Sequence, residues 1–275
     1  MNARPGRTVL TVVLYLILVI YLVPVLIILY NSIKSFSEIA ANVLSLPTHV
    51  EAQNFVKAFT LMDYPRLFLN TAIVTVGGTT GVILLSAMAG YKLSRTRGRI
   101  SWFLFLVCIA PMMIPFQSFM IALVKVARIW HLIGSVFGLA VIYWGLGAPL
   151  TVFLYHGFVK TVPRELDECA TIDGCSTGRL FFQVIFPLLQ PVTVSAIVLN
   201  AMWMWNDFLL PLLVLSGGQH SQTLQLAVYN FFDRYRTDYN TAIAGVVLAI
   251  TPAVAFFIAL QKNIEKGMIA GAVKG

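Results

Sequence analysis

The sequence predicts an all-α integral membrane protein with six transmembrane helices and one short helix in the loop between the fourth and fifth. Composition predicts it first: hydrophobic residues make up 59% of the 275-residue chain and charged residues 11%, whereas a soluble domain averages about a quarter charged. The mean hydropathy is +0.84. Block length predicts it second. A helix needs about 20 apolar residues to cross a hydrocarbon core of roughly 30 Å. Six blocks reach that length: 9–30, 70–93, 102–124, 135–158, 186–215 and 239–260. Third, these blocks hold almost no charge, Asp207 being the clear exception. A soluble helical core would need a polar face on each helix, and the blocks lack one.

The first block follows Arg4 and Arg7, as a signal peptide would. Its apolar run is longer than the ~7–15 residues of a signal h-region, and no small-x-small cleavage site follows, so a retained anchor is expected. Pro24, Pro111, Pro115, Pro149 and the small-residue run 77–81 lie within the blocks. In membranes such residues mark close helix packing or kinks; a broken helix lining a substrate path is the alternative. The fifth block holds Asn200, Trp203, Trp205, Asn206 and Asp207. A carboxylate at the bilayer centre costs about 2.5–3.5 kcal/mol. Aromatic faces with amide and carboxylate groups suit a sugar, which makes Asn200, Trp203, Asn206 and Asp207 candidate path residues. The same side chains also fit pairing with a neighbouring helix, with the tryptophans anchoring at the interface.

With the N-terminus inside, the inner segments carry twelve Lys and Arg residues and the outer ones seven. The positive-inside rule then places both termini in the cytoplasm. Orientation and lipid head groups account for the net charge of +8, and no nucleic-acid partner is called for. Cys108, Cys169 and Cys175 imply no disulfide framework, and no ligands sit at metal-binding spacing. His49, His131, His156 and His220 are scattered and form no pair with a nucleophile. No GxxxxGK[ST] motif occurs; the glycines of 77–81 and 174–178 lack the lysine that would meet phosphates. The chain is therefore expected to be no enzyme and to hold no cofactor, with ATP and Mg bound elsewhere.

Outside, segment 31–69 is expected to hold a short amphipathic helix near 51–62 with Phe55, Val56 and Phe59 on its apolar face. Segment 216–238 is a second outer stretch, rich in aromatics: Tyr229, Phe231, Phe232 and Tyr235. Inside, the loop 160–183 is the most polar. Pro163 suits a first helical position, and Glu165, Asp167 and Glu168 sit near the positive end of the helix dipole. Leu166, Cys169 and Ala170 make one narrow apolar stripe, and Gly174 ends the helix in a left-handed conformation. A second helix is expected from Ser176 through Phe181 and Phe182 to Pro187. A short, rigid, acidic helix of this kind fits a groove on another protein; an ordinary solvated loop helix fits the residues equally well.

This loop resembles the EAA loop of binding-protein-dependent ABC importer permeases. The matching residues are Glu168-Cys169-Ala170, then Asp173-Gly174, then Ile185-Phe186-Pro187, with Cys169 and Cys175 where alanine is commoner. Leu46-Pro47-Thr48, the run 54–59 and Leu69-Asn70-Thr71 are similar to the first outer loop of sugar-type permeases. The run 205–211 resembles their fifth span, and the tail 267–275 their C-terminus. The resemblance therefore covers nearly the whole chain and implies a single permease domain over 1–275, type I ABC importer permease-like and of the maltose type. It further implies that the helix in 160–183 is a coupling helix docking on a cytoplasmic ATPase dimer through Arg164, Glu165, Glu168, Cys169, Ala170, Asp173 and Gly174. Gly271 and Lys274 of the tail would reach the same ATPase. A second related permease, an extracellular or periplasmic solute-binding protein and membrane lipid are the other implied partners, in a bacterial-type cell membrane. Sugar or oligosaccharide is the implied cargo, with amino acids or peptides as the alternative. An ion-driven secondary transporter would want more intramembrane charge and a visible repeat, and neither is present.

Overall fold

The computed structural model describes residues 5–216, 221–234 and 238–272, with side chains over 10–216, 221–231 and 238–259. All regular structure among them is helical. A hydrocarbon interior gives unpaired N–H and C=O groups no water, so a spanning chain of this composition satisfies them within helices.

In chain order the helices are α1 (Pro5–Asn31), α2 (Phe36–Ala41), α3 (Gln53–Leu61), α4 (Tyr64–Arg95) and α5 (Arg99–Ile109), which runs into a 3₁₀ turn, Ala110–Met113. Then come α6 (Phe116–Ile129), α7 (Val136–Val159), α8 (Glu165–Ile172) and α9 (Thr177–Arg179). A π-helical stretch, Leu180–Ile185, joins α9 to α10 (Phe186–Leu188). The last four are α11 (Gln190–Asn206), α12 (Leu209–Leu215), α13 (Leu224–Arg234) and α14 (Tyr239–Ala272). Two compact units result: Met1–Pro65 with Ala227–Pro252, and Arg66–Leu226 with Ala253–Gly275.

In the first unit, α1 is exposed along its apolar length, as a helix solvated by lipid can be. The expected face of α3 is not the one that packs. Val56 and Phe59 are exposed, whereas Asn54, Ala58 and Met62 are buried. The cause is polar. The Asn54 amide donates to the carbonyls of Ser32 (3.0 Å) and Lys34 (2.8 Å), and its oxygen accepts from Asn240 (2.7 Å). Lys34 is fully buried. Its ammonium lies 4.8 Å from the Tyr30 ring centroid and donates to Asn42 O (3.2 Å), Val43 O (3.4 Å) and Ser45 Oγ (3.3 Å), the kind of company a buried charge requires. Glu38 completes a capping box with Ser35. Hydrogen bonds from the Thr48 hydroxyl and N–H, and from the Ser35 N–H, hold its carboxyl down at about 2.

In the second unit α7 is the central post, packed against α5, α11 and α12. Tyr143 and Tyr155 on it are fully buried. The small residues of 77–81 let α4 approach α7 closely and leave α4 unbroken. A Cβ on Gly81 would lie 1.9 Å from Trp144 Nε1, and that indole nitrogen donates to Gly77 O at 2.9 Å. Lower on α4, a Cβ on Gly90 would sit 2.6 Å from Tyr155 Cβ and 3.0 Å from the His156 backbone nitrogen.

The third and fifth apolar blocks are not straight rods. Pro115 drives Ile114 into an extended conformation, and the segments Arg99–Met113 and Phe116–Ile129 meet at 109°. The segments Thr177–Leu188 and Gln190–Asn206 meet at 80°, with Pro187 and Pro191 flanking the bend, and α11 stops again before Asp207. Among the described residues four helices are long and apolar enough to cross a bilayer, or six elements if each bent pair crosses once.

Replacing Gly90 by alanine is expected to destabilise the bundle by about 1–3 kcal/mol, since backbone stands in the way of the new methyl. Gly157→Ala, which meets nothing within 4 Å, serves as the control. Thermal unfolding in detergent checks the pair: a lower Tm for the first and an unchanged or raised Tm for the second.

Candidate functional site

The loop after α7 folds back on the helical bundle of its own unit. The Arg164 carbonyl accepts from the N–H groups of Asp167 (2.9 Å) and Glu168 (3.2 Å), starting α8 with three acidic residues in its first turn, where the dipole favours them. Pro163 stands just ahead of the helix rather than in its first position. The C-terminus closes as a Schellman motif: Cys175 N–H donates to Ala170 O (3.0 Å) and Gly174 N–H to Thr171 O (3.1 Å), with Gly174 at φ +75°. Ser176 then caps α9, and Leu180, Phe181 and Ile185 bury beside Tyr91, Tyr155, Val159 and Ala170.

The Leu166–Cys169–Ala170 stripe, whose small side chains suit docking on another protein, is divided between the two faces of α8. Ala170 is buried, but Leu166 is 38% exposed and Cys169 is exposed. Asp167 supplies the other inward contact. Its carboxylate accepts from the Tyr91 hydroxyl (2.5 Å) and pairs with Arg95 Nη2 (2.9 Å). The same Nη2 donates to Val162 O (3.0 Å) and Pro163 O (3.4 Å). Burying one alanine methyl is worth about 0.8 kcal/mol, while a hydrogen bond to a charged group contributes roughly 1.5–3 kcal/mol. The polar contact dominates the attachment. Arg164, Glu165, Glu168, Asp173 and Gly174 remain exposed with Cys169, and Ile172 is 85% exposed. A cleft of about 480 Å³ beside the helix is lined by Arg95, Lys160, Arg164 and Glu165 among others. Of the tail, Gly271 lies in α14, with no side-chain surroundings described, and Lys274 lies outside the described residues.

The second cluster surrounds the break in the fifth block. Asp207 Oδ1 accepts from the Leu209 N–H (3.0 Å), an amide at the start of α12, and Oδ2 accepts from the Tyr143 hydroxyl (2.8 Å). Trp203, 42% exposed, meets the Tyr143 ring edge-on with centroids 5.2 Å apart. Asp207 and Trp203 thus share Tyr143. Asn200 belongs elsewhere: it is buried and donates to Thr151 Oγ1 (2.9 Å) and Ala196 O (2.8 Å), packed where Gly147 leaves room. Asn206 is exposed and donates to Met202 O in its own helix (2.8 Å). Two residues here escape a reading of the sequence, Asp167 and Tyr143. The first had a signal, the i, i+4 pair Tyr91 and Arg95 at the end of α4, two apolar blocks earlier; the second had only a hydroxyl in an apolar run. Among the described residues no group of His, Cys, Asp and Glu could hold a metal ion.

Asp207→Ala leaves both Tyr143 and the Leu209 amide unpaired and is expected to cost about 1–3 kcal/mol. Tyr143→Phe is expected to cost less. A double-mutant cycle on thermal stability checks the contact, with a coupling of about 0.5 kcal/mol or more expected between neighbours.

Comparison with known proteins covers most of the chain. Residues 82–270 match the family described as binding-protein-dependent transport system inner membrane component. The chain is 40% identical over 255 residues to the probable starch degradation products transport system permease protein AmyC of Thermoanaerobacterium thermosulfurigenes, covering 93% of this chain and 92% of that one. It is 31% identical to the multiple sugar-binding transport system permease protein MsmG of Streptococcus mutans, with 93% of each covered. To the melibiose/raffinose/stachyose import permease protein MelC of Bacillus subtilis it is 30% identical, over 99% of this chain and 100% of that one. Its fold matches a chain from the crystal structure of a bacterial ABC transporter involved in the import of the acidic polysaccharide alginate, with a TM-score of 0.79, 18% identity, and 95% of this chain and 99% of that one covered. The chain belongs to the family of binding-protein-dependent transport system inner membrane components.

Proposed function

We propose that this permease carries a sugar or oligosaccharide, and that α8 is the element through which a separate cytoplasmic ATPase drives it. Full-length similarity to permeases named for starch products, multiple sugars and raffinose-type oligosaccharides supports the cargo. The observation that carries the coupling role is the two-sidedness of α8. Its inner face is pinned by Asp167 and Ala170, while Glu165, Glu168, Cys169, Ile172 and Asp173 are left uncovered. An isoleucine at 85% exposure, flanked by carboxylates and outside the apolar blocks, suits a groove with an apolar floor and a basic rim.

In this reading both termini lie in the cytoplasm, and the chain pairs with a second, related permease to enclose the path. A solute-binding protein delivers cargo from the outer side, and an ATPase pair, which binds ATP and Mg, docks on α8 and its counterpart. The tail residues Gly271 and Lys274 reach towards that ATPase. Alternating access follows from rigid-body movement of helices around the path. Trp203, 42% exposed beside Asp207, offers a ring face suited to a sugar and Asn206 an exposed amide, with Tyr143 holding Asp207 from within and Asn200 bracing α11 on α7.

Glu168 is the residue that meets a basic group of the ATPase. Once the interface covers it, removing one partner of the pair costs on the order of 3–5 kcal/mol. Glu168→Ala is therefore expected to strip the ATPase from the purified complex and to abolish uptake of sugar into proteoliposomes. A mutant complex that keeps its ATPase and transports at the wild-type rate refutes the assignment.

A further inference from the structure

We propose that Asp167 is the positioning residue that ties α8 to α4, so that force applied to the docking helix is delivered to α4 through the Tyr91–Asp167–Arg95 contact. The inference rests on α8 being the ATPase-docking element and adds the route by which its displacement enters the bundle. Three observations carry it.

First, α8 has little else to hold it. It is eight residues long and buries only one apolar side chain, Ala170. Without a further contact it would swing about its two ends when pushed, and the push would be lost. Second, the contact grips both ends of the approach to α8. Arg95 Nη2 donates to the carbonyls of Val162 and Pro163 and pairs with the Asp167 carboxylate one turn further on, while the Tyr91 hydroxyl takes the second carboxylate oxygen. Tyr91 is 8% exposed, and the side chains of Arg95 and Asp167 are 13% and 17% exposed, so water competes poorly for the pair.

Third, the receiving element is stiff and leads somewhere. Arg95 is the last residue of α4, an unbroken helix of 32 residues. That helix meets α7 at Gly90 and Gly81 and meets α11 where Gly78 abuts Met204. Trp144, which fills the space at Gly81, is the neighbour of Tyr143, and Tyr143 holds Asp207 at the break in the fifth block. A packed line of side chains therefore runs from the docking helix to the candidate path. A test of the route separates force transmission from docking.

The conservative variants Asp167→Asn and Tyr91→Phe keep volume and remove the charge or the hydroxyl. Each is purified in nanodiscs with the partner permease and ATPase, and cargo moved per ATP hydrolysed is measured in proteoliposomes with loaded binding protein. Both variants are expected to retain the ATPase at wild-type stoichiometry, with cargo per ATP falling at least tenfold for Asp167→Asn and severalfold for Tyr91→Phe. Unchanged cargo per ATP in both variants overturns the proposal, and so does a loss of transport matched by a loss of bound ATPase, because Asp167 would then serve docking or folding alone. Glu168→Ala, run alongside, tells the two claims apart: an ATPase that stays bound there counts against the docking assignment itself, whereas ATPase loss there with a fully coupled Asp167→Asn sinks only the tether.

Discussion

A spanning chain in hydrocarbon has no water with which to satisfy its backbone, and that constraint governs every other feature of this protein. It explains why the described regular structure is entirely helical. It also explains why the breaks are informative. Where a helix stops inside an apolar block, some side chain must take over the work of the lost backbone bonds. At the end of α11 that side chain is Asp207, which accepts from the Leu209 amide while holding the Tyr143 hydroxyl. At Ile114–Pro115 the demand is smaller, since proline brings no N–H to satisfy.

The same economy shapes the loop between α7 and α11. Outside the apolar blocks the backbone is free to leave the helix, and the chain uses that freedom to build a short rod with closed ends. Acidic residues favour its start, and a glycine in the left-handed region seals its finish. The rod would be loose if apolar burial alone held it. A guanidinium from the end of α4 and a tyrosine hydroxyl make it part of the bundle, and they do so on the face away from Glu168 and Ile172. One side is structural and the other is free for a partner.

Much of this was legible in the sequence because it depends on local pattern. Apolar blocks, the presence of a short acidic rod in the loop and the role of Gly174 as its end follow from composition, spacing and φ preference, although the rod starts at Glu165 and not at Pro163. The small residues of 77–81 were legible as packing or as a break, and the space occupied by Trp144 decides for packing. Proline was a poorer guide: Pro24, Pro149 and Pro252 lie inside continuous helices, whereas Pro115 stands at a sharp bend. A missing N–H costs little if a neighbouring group can satisfy the orphaned carbonyl, and that neighbour comes from distant sequence. The inward faces of α3 and α8 were hard to read for a related reason. Each is led by a polar residue, Asn54 or Asp167, whose partners lie far along the chain, so apolar periodicity alone does not identify it. Lys34 is the same lesson in a loop, a cation buried by carbonyls that local sequence does not reveal.

The central claim is that the free face of α8 is covered by a separate ATPase. Cys169 sits on that face with an exposed thiol, which allows a direct measurement in a background where Cys108 and Cys175 are replaced by serine. The rate of maleimide labelling of Cys169 is followed in the permease pair alone and after the cognate ATPase is added. Labelling at least tenfold slower in the presence of the ATPase is the result expected, and an unchanged rate in a complex that hydrolyses ATP and transports would contradict the account.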